Sequence, residues 1–134
     1  MVRILYIKQF NRIMDAFKLP KSSDEEKALR SQAIQDATKY AIEIPFQVMQ
    51  TSFDAFELLE AMAKVGNPNS VSDAGVGALS ARSAVIGAYL NVKINVADLK
   101  DESFKADILS KAEDLKNQAI AKEAEILQIV ESKL

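Results

Sequence analysis

The stretch GNPNSVSDAGVGALSARSAVIGAYLNVKIN, residues 66–95, decides the fold of this chain. It begins with turn residues and continues as a long helix that carries almost no charge. At a helical period of about 3.6 residues, one face is small or polar throughout. Its members are Asp73, Gly77, Ser80, Ala84, Gly87, Asn91 and Asn95. Because a glycine inside a helix costs about 1 kcal/mol relative to alanine, Gly77 and Gly87 indicate that another backbone or a ligand approaches this face closely.

Length and composition predict one helical domain over residues 1–134. Hydrophobic residues make up 49% of the chain and charged residues 27%, as in ordinary globular proteins. Three prolines and four glycines are few enough to permit long helices. The net charge of −2 offers no basic field for nucleic acid, and no apolar run reaches the ~18 residues of a membrane span. We therefore expect a cytoplasmic protein that binds neither nucleic acid nor membrane.

The lack of cysteine and histidine restricts the chemistry that this sequence can perform. Without cysteine there are no disulfides and no thiolate ligands for a metal. Without histidine, neither Ser-His-Asp nor Cys-His catalysis is available, and a zinc site is not expected. We predict no metal, and acid–base chemistry that depends on carboxylates, lysine, tyrosine or bound water.

A second long helix is predicted before this stretch. Ser23 and Glu26 have the spacing of a capping box, and the helical pattern then continues to about Lys64. Pro45 lies inside that pattern, where it removes a backbone hydrogen bond to the carbonyl of Ala41. Since no turn residues flank Pro45, we expect one long helix kinked near this proline.

One further helix on each side completes the predicted bundle. Residues 2–18 show helical spacing of apolar side chains, and Pro20 ends that helix. After the central helix, Asp98 and Asp101 are candidate caps, and the last helix begins at about Phe104. The sequence thus predicts four to five long helices in an all-α, antiparallel bundle.

The central helix also predicts a homodimer. Opposite its small face it still presents Val85, Ile86, Tyr89 and Val92. A helix that is apolar nearly all round is buried on every side, and the few helices of one chain do not suffice to surround it. We therefore expect a second copy to cover it, most simply in a two-fold homodimer.

Two runs of this sequence resemble the cyclodeaminase/cyclohydrolase family. They are FKLPKSSDEEKALRSQAIQDATK, residues 17–39, and the stretch of residues 66–95. The family includes the cyclodeaminase part of formiminotransferase-cyclodeaminase and bacterial methenyltetrahydrofolate cyclohydrolases. The resemblance implies an all-helical dimer whose substrate is a tetrahydrofolate derivative. The implied reaction is either loss of ammonia from formimino-tetrahydrofolate to give the methenyl form, or addition of water to the methenyl form to give the formyl form.

The resemblance covers roughly residues 10–95, and the N-terminus departs from the family pattern. Family members carry a glycine-rich loop ahead of the matched part, which MVRILYIKQ, residues 1–9, does not resemble. The sequence therefore predicts a truncated cyclodeaminase-like domain, either a natural truncation or a fragment. The alternative function is a non-catalytic helical dimer or assembly subunit that has lost the folate site.

Asp73 is the candidate catalytic residue. Ammonia loss and water attack on the methenyl carbon both need a group that moves protons and stabilises positive charge. A carboxylate performs both roles in a chain without histidine. An acid in the first turn of a helix also stabilises the helix dipole by ~0.3–1 kcal/mol, which would explain Asp73 without catalysis.

The candidate substrate-binding residues are Asn69, Asn91, Asn95, Lys21 and Arg82. Asn69 suits the donors and acceptors of a pterin edge, or simply the turn in which it lies. Asn91 and Asn95 line a ligand groove or form hydrogen bonds between helices across the dimer. Lys21 contacts the glutamate tail of a folate or is solvated. Arg82 either pairs across an interface or reaches an anionic group of the ligand.

Overall fold

Four α-helices form this chain in a computed structural model that describes residues 2–134. They are α1 (Val2–Lys18), α2 (Asp24–Val65), α3 (Val71–Asn95) and α4 (Glu102–Glu131). Two short 3-10 turns, Pro68–Ser70 and Val96–Asp98, lie before and after α3. Within residues 2–134 there is no β-strand. The predicted all-α fold is therefore confirmed, with four long helices.

The contacts between α2 and α3 show that these helices run antiparallel. Near the start of α3, a side chain added at Gly77 would overlap Leu59 Cδ2 on the later part of α2. At the end of α3, Asn95 Nδ2 donates a hydrogen bond of 3.3 Å to the Ala41 carbonyl on the earlier part of α2. Residue numbers rise on one helix as they fall on the other, as the predicted antiparallel bundle requires.

Helices α3 and α4 are antiparallel by the same reasoning. Arg82 lies beside Glu123, with Nε and Oε2 separated by 3.9 Å. About two turns further along α3, Tyr89 donates a hydrogen bond to Glu113, which precedes Glu123 on α4. Helix α3 thus lies between α2 and α4 and has neighbours on two sides.

The core of the bundle joins large side chains of α2 to small ones of α3. Phe56, Met49 and Ile42 of α2 are almost completely buried. The inward side of α3 carries four alanines that share this core, namely Ala74, Ala78, Ala81 and Ala88. Small residues permit a close approach of the two backbones, and the larger side chains of α2 fill the remaining space. This packing leaves one side of α3 outside the core.

Helix α2 continues without a break through Pro45, as the sequence predicted. Pro45 is buried within the helix and has no N–H to donate to the Ala41 carbonyl four residues earlier. The Asn95 carboxamide of α3 donates to that carbonyl. The Ala41 carbonyl, to which Pro45 cannot donate, is therefore hydrogen-bonded to the last residue of α3.

The predicted helix caps are confirmed at both α2 and α4. Ser23 Oγ accepts a hydrogen bond of 3.1 Å from the Glu26 N–H, and the Glu26 carboxylate accepts one of 3.2 Å from the Ser23 N–H. Asp101 caps α4 by accepting a hydrogen bond of 3.0 Å from the Phe104 N–H. These side chains satisfy backbone groups that a helix end would otherwise expose.

Asp101 also joins α4 to α2 in a way that predicts pH dependence. Its Oδ2 lies 2.6 Å from Lys39 Nζ. The hydrogen bond from Lys39, followed by that from the Phe104 N–H, holds the Asp101 pKa below its ordinary value. A lowered pKa in the folded state gives stability that is present above the unfolded pKa of about 4 and is lost as the pH falls through the folded value.

We expect Asp101→Asn to flatten the acid limb of the stability curve. Asparagine keeps the cap but cannot ionise, so the free energy of unfolding should fall less between neutral pH and pH ~3 than in the unchanged chain. Denaturant titrations over this range measure the difference. Lys39→Met should flatten the limb by a similar amount, and the double variant should add nothing further. Two independent, additive effects would contradict the coupling.

Candidate functional site

The small and polar side of α3 predicted from the sequence faces solvent in the single chain. We call it the α3 face, and it consists of Asp73, Gly77, Ser80, Ala84, Gly87, Asn91 and Asn95. Gly77 and Asn95, which adjoin α2, are half-buried, and the other five are exposed. The glycines differ: Gly77 is crowded by Leu59, whereas nothing lies within 4 Å of a side chain added at Gly87. No neighbour within the described residues therefore explains why a glycine occupies position 87.

Large apolar side chains on α3 lie beside this face and are also exposed. Val76, Leu79, Leu90 and Ile94 have 61%, 44%, 59% and 72% of their surface accessible. Nearby on the chain, the C-terminal part of α2 exposes Leu58, Met62 and Val65. Several large apolar side chains exposed along one side of a helix are typical of a surface that contacts another protein or a ligand. The exposed side of α3 is therefore the candidate functional surface.

Asp73 and Asn69 lie at the N-terminal end of this surface. Asp73 is exposed in the first turn of α3, and within the described residues it makes no ion pair. Asn69 is exposed in the preceding 3-10 turn, where its N–H donates a hydrogen bond of 3.0 Å to Asn67 Oδ1. Both side chains are accessible to a ligand, and they lie four residues apart along the chain.

Asn91 and Asn95 lie at the other end and already have hydrogen-bond partners. Asn91 is exposed, and its Nδ2 donates to the Gly87 carbonyl of its own helix at 3.0 Å. Asn95 is half-buried and donates to the Ala41 carbonyl on α2. The sequence predicts hydrogen bonds between helices across a dimer here, whereas the bond that Asn95 makes joins two helices of one chain.

Arg82 points away from the α3 face and towards α4. Its Nε lies 3.9 Å from Glu123 Oε2 and, among the described residues, has no hydrogen-bond partner although it is buried. Glu123 itself is only 8% exposed. The structure therefore separates Arg82 from Asp73 and Asn91, which lie on the exposed side of the same helix.

Lys21 belongs to a different region, in the loop between α1 and α2. It lines a pocket whose other members come from the first turns of α2 and from the loop before α4. No residue of α3 lines this pocket. Sequence reasoning selected Lys21 but missed Arg30 and Lys100, which line the same pocket. Arg30 lies within a run already associated with the family, whereas no local signal marks Lys100.

A cluster of polar side chains that could not be identified from the sequence joins α3 to α4. Tyr89 donates a hydrogen bond to Glu113, and Glu113 forms an ion pair with Lys116. The hydrogen bond from Lys116, followed by that from Tyr89, holds the Glu113 pKa below its ordinary value. The ammonium groups of Lys93 and Lys116 lie 5.6 and 4.8 Å from the centre of the Tyr89 ring. These contacts fix the position of α3 against α4.

Residues 2–134 contain neither a metal-binding cluster nor a membrane-spanning helix of the kinds defined next. Within this range, no group of three or more histidine, cysteine, aspartate or glutamate residues is arranged to hold a metal ion. None of the described helices combines the length and the apolar character that crossing a membrane requires.

The antiparallel helices and the exposed α3 face define an all-α bundle with one long helix face open to solvent. The structure of formiminotetrahydrofolate cyclodeaminase from Thermotoga maritima matches 93% of this chain and 58% of its own length, with a TM-score of 0.78 and 27% identity. The family model for formiminotransferase-cyclodeaminase matches residues 7–114. This chain therefore belongs to the formiminotransferase-cyclodeaminase family, and the resemblance predicted from its sequence is confirmed.

This chain matches only part of the length of two relatives. Methenyltetrahydrofolate cyclohydrolase from Methylorubrum extorquens is 38% identical over 128 residues, which are 96% of this chain and 62% of the relative. Formimidoyltransferase-cyclodeaminase from Gallus gallus is 36% identical over 124 residues, which are 92% of this chain and 23% of the relative. The chain thus spans less than two thirds of each of these proteins.

Proposed function

We propose that this chain acts in folate one-carbon metabolism, as a cyclodeaminase or a methenyltetrahydrofolate cyclohydrolase. The observation that carries the proposal is the exposed, uncharged α3 face with Asp73 at its start, on a scaffold whose relatives are named for these two activities. The substrate is a tetrahydrofolate derivative bound along this face. The proposal involves no metal and no nucleic acid, and the cytoplasmic location expected from the sequence remains a prediction.

Asp73 supplies the acid–base chemistry in this proposal. In the hydrolytic direction, water adds to the cationic methenyl carbon, one carbon–nitrogen bond opens and a proton is released. The Asp73 carboxylate stabilises the positive charge and accepts that proton. In the deaminating reaction, the exocyclic amine of tetrahydrofolate attacks the formimino carbon, and Asp73 passes the proton of that amine to the departing nitrogen. The bond to that nitrogen then breaks, ammonia leaves with one further proton from solvent, and the methenyl cation remains.

Asn69 is the proposed contact to the pterin, since it is an exposed amide close to Asp73. Asn91 is also exposed on the α3 face but lies about 27 Å from Asp73 along the helix axis, so in this proposal it contacts the substrate from a second copy of the chain. Asn95 and Arg82 have partners in α2 and α4, so in this proposal they position α3 and do not touch the substrate. Lys21 lies on the separate pocket of the α1–α2 loop. The proposed site is thus narrower than the set of residues that the sequence suggested.

We further propose that a second copy of the chain covers the α3 face and forms a groove with it. The exposed Val76, Leu90 and Ile94 supply apolar surface for such a contact. Gly87 supplies a position where another backbone can approach, because no described residue of its own chain fills the space above it. The homodimer predicted from the sequence is therefore retained as a proposal.

Purified protein incubated with methenyl-tetrahydrofolate tests the activity directly. If the proposal is correct, the ultraviolet absorbance of the methenyl form disappears faster than in buffer. No acceleration at protein concentrations matching the substrate would reject hydrolysis, and ammonia release from formimino-tetrahydrofolate must then be measured. Failure of both assays would overturn the enzymatic proposal.

The second candidate function is a non-catalytic helical dimer or assembly subunit. The observation in its favour is that Asp73 and Asn91 lie on open helical surface in the single chain. Titration calorimetry with a folate analogue separates the two functions, because only the first requires saturable binding. A dimer with no heat of folate binding would support the second.

Gly87→Leu tests whether the α3 face meets a second copy. A large side chain at this position should weaken a close interface by about 1–3 kcal/mol, which raises the dimer dissociation constant about 5- to 140-fold. Light scattering over a range of concentrations measures it. Ala121→Leu is the matched control, because Ala121 is exposed on α4 and should leave the dimer intact. An unchanged dissociation constant for Gly87→Leu would exclude the α3 face from the interface.

A further inference from the structure

A positively charged pocket of about 370 Å³ lies on the side of the bundle where the α1–α2 loop, the first turns of α2 and the loop before α4 meet. Its lining consists of Lys21, Lys27, Arg30, Ser31, Ile34, Gln35 and Lys100. Four of these residues carry a positive charge and none is acidic. The whole chain has a net charge of −2, so this pocket reverses the sign of the protein's charge locally.

Three of the four cations are not neutralised by an acidic side chain. Lys27 pairs with Asp24 at 2.8 Å. Within the described residues, Lys21, Arg30 and Lys100 make no such pair, although each lies in the same pocket. Like charges held close together repel one another unless a counter-charge is present. Three such cations around one pocket raise the positive potential there, which favours the binding of an anion.

Glu26, an acid in the first turn of α2, is already engaged. The Glu26 carboxylate accepts hydrogen bonds of 2.7 and 3.2 Å from the N–H groups of Ser22 and Ser23, where it forms the capping box of α2. It also does not line the pocket. Glu26 therefore does not neutralise the cations that line the pocket.

Contacts with the surrounding structure hold two of the cations in place. Arg30 donates from Nε and Nη2 to the Phe17 carbonyl at 3.3 and 3.2 Å, and its guanidinium lies 5.5 Å from the centre of the Phe17 ring. The Lys100 N–H donates to Gln35 Oε1 at 2.7 Å, and the Lys100 ammonium lies 3.4 Å from Ser31 Oγ. Positive groups that are positioned in advance lose less entropy when an anion binds.

We propose that this pocket binds a small molecule carrying at least two adjacent oxyanion groups, either phosphates or carboxylates. A guanidinium and two ammonium groups match several oxygens at once, and one singly charged group would leave most of the cations unpaired. The site is lined by no residue of α3, so its occupancy is independent of the activity proposed for the α3 face. Ile34 gives it an apolar wall, and Ser31 and Gln35 give it further polar groups.

Titration calorimetry at low ionic strength tests this proposal with pyrophosphate and with citrate as probes. We expect saturable binding of one molecule per chain, weakened by added salt. Lys100→Gln should weaken it about tenfold, because one charge-assisted hydrogen bond to the anion is lost. Lys21→Gln should also weaken binding, and it changes an exposed loop residue that the fold does not depend on. Lys111→Gln is the matched control, because Lys111 pairs with Asp107 on α4, away from the pocket. This variant should bind both probes as tightly as the unchanged chain.

The two probes identify the chemical source of the anion. Tighter binding of pyrophosphate indicates a phosphate ligand, and tighter binding of citrate indicates a polycarboxylate; either result supports the pocket as an oxyanion site. The absence of saturable binding for both probes would overturn the proposal. Equal weakening by Lys111→Gln and Lys100→Gln would also overturn it, because the affinity would then reflect overall charge and not this pocket.

Discussion

Asp73→Asn is expected to lower the rate of methenyl-tetrahydrofolate hydrolysis, or of ammonia release, by about 10²–10⁴-fold. This is the usual contribution of a positioned acid–base group. Asparagine has nearly the same shape but neither accepts the proton nor stabilises the positive charge of the substrate. Steady-state rates for the two proteins, measured with the substrate that proves active, provide the comparison.

The fold should tolerate this substitution. Asp73 is exposed and makes no ion pair within the described residues, so its structural contribution is the helix-dipole effect of about 1 kcal/mol or less. Glu102→Gln is the matched control, because Glu102 is an exposed acid in the first turn of α4 and lies outside the α3 face. It should retain full activity. A fall in rate of less than tenfold for Asp73→Asn would remove Asp73 from the catalytic role.

Phe56→Ala should lower the free energy of unfolding by about 3–5 kcal/mol, the largest effect on stability that we expect from one residue. Phe56 is only 2% exposed and lies in the core that α2, α3 and α4 share. Its ring centre is 5.6 Å from that of Phe53, in a tilted arrangement. Truncation removes these contacts and leaves a cavity that helices already in close contact cannot fill.

Denaturant unfolding followed by circular dichroism measures the loss, at one protein concentration because association would change the apparent stability. Leu29→Ala is the control, since Leu29 lies on the same helix with 70% of its surface exposed and should change stability by about 0.5 kcal/mol or less. Comparable losses for the two variants would mean that the core is not centred on Phe56.

The reaction assay and the pocket titration answer separate questions. The first depends on Asp73 and the α3 face, and the second depends on Lys21, Arg30 and Lys100. A chain without folate activity would still bind pyrophosphate or citrate if the pocket is an oxyanion site. If the chain is active but binds neither probe, the proposed reaction is supported and the proposed oxyanion pocket is overturned.

The helices of this protein could be predicted from the sequence because the signals that start and stop them are local. The capping box joins Ser23 to Glu26, and Asp101 caps the N–H of Phe104, in each case only three residues away. The periodic small residues of α3 likewise follow from spacing alone. Such features need no knowledge of which helix lies beside which.

The sequence by itself therefore determined the all-α fold, the single long α2 through Pro45, the family and the uncharged face that begins at Asp73. Only the tertiary structure decided the partners of the polar side chains. It directed Arg82 to Glu123, joined Asn95 to a carbonyl 54 residues earlier, and brought Lys100 into the pocket of Arg30. These contacts depend on how the helices pack against one another, and spacing along a single helix carries no information about distances between helices.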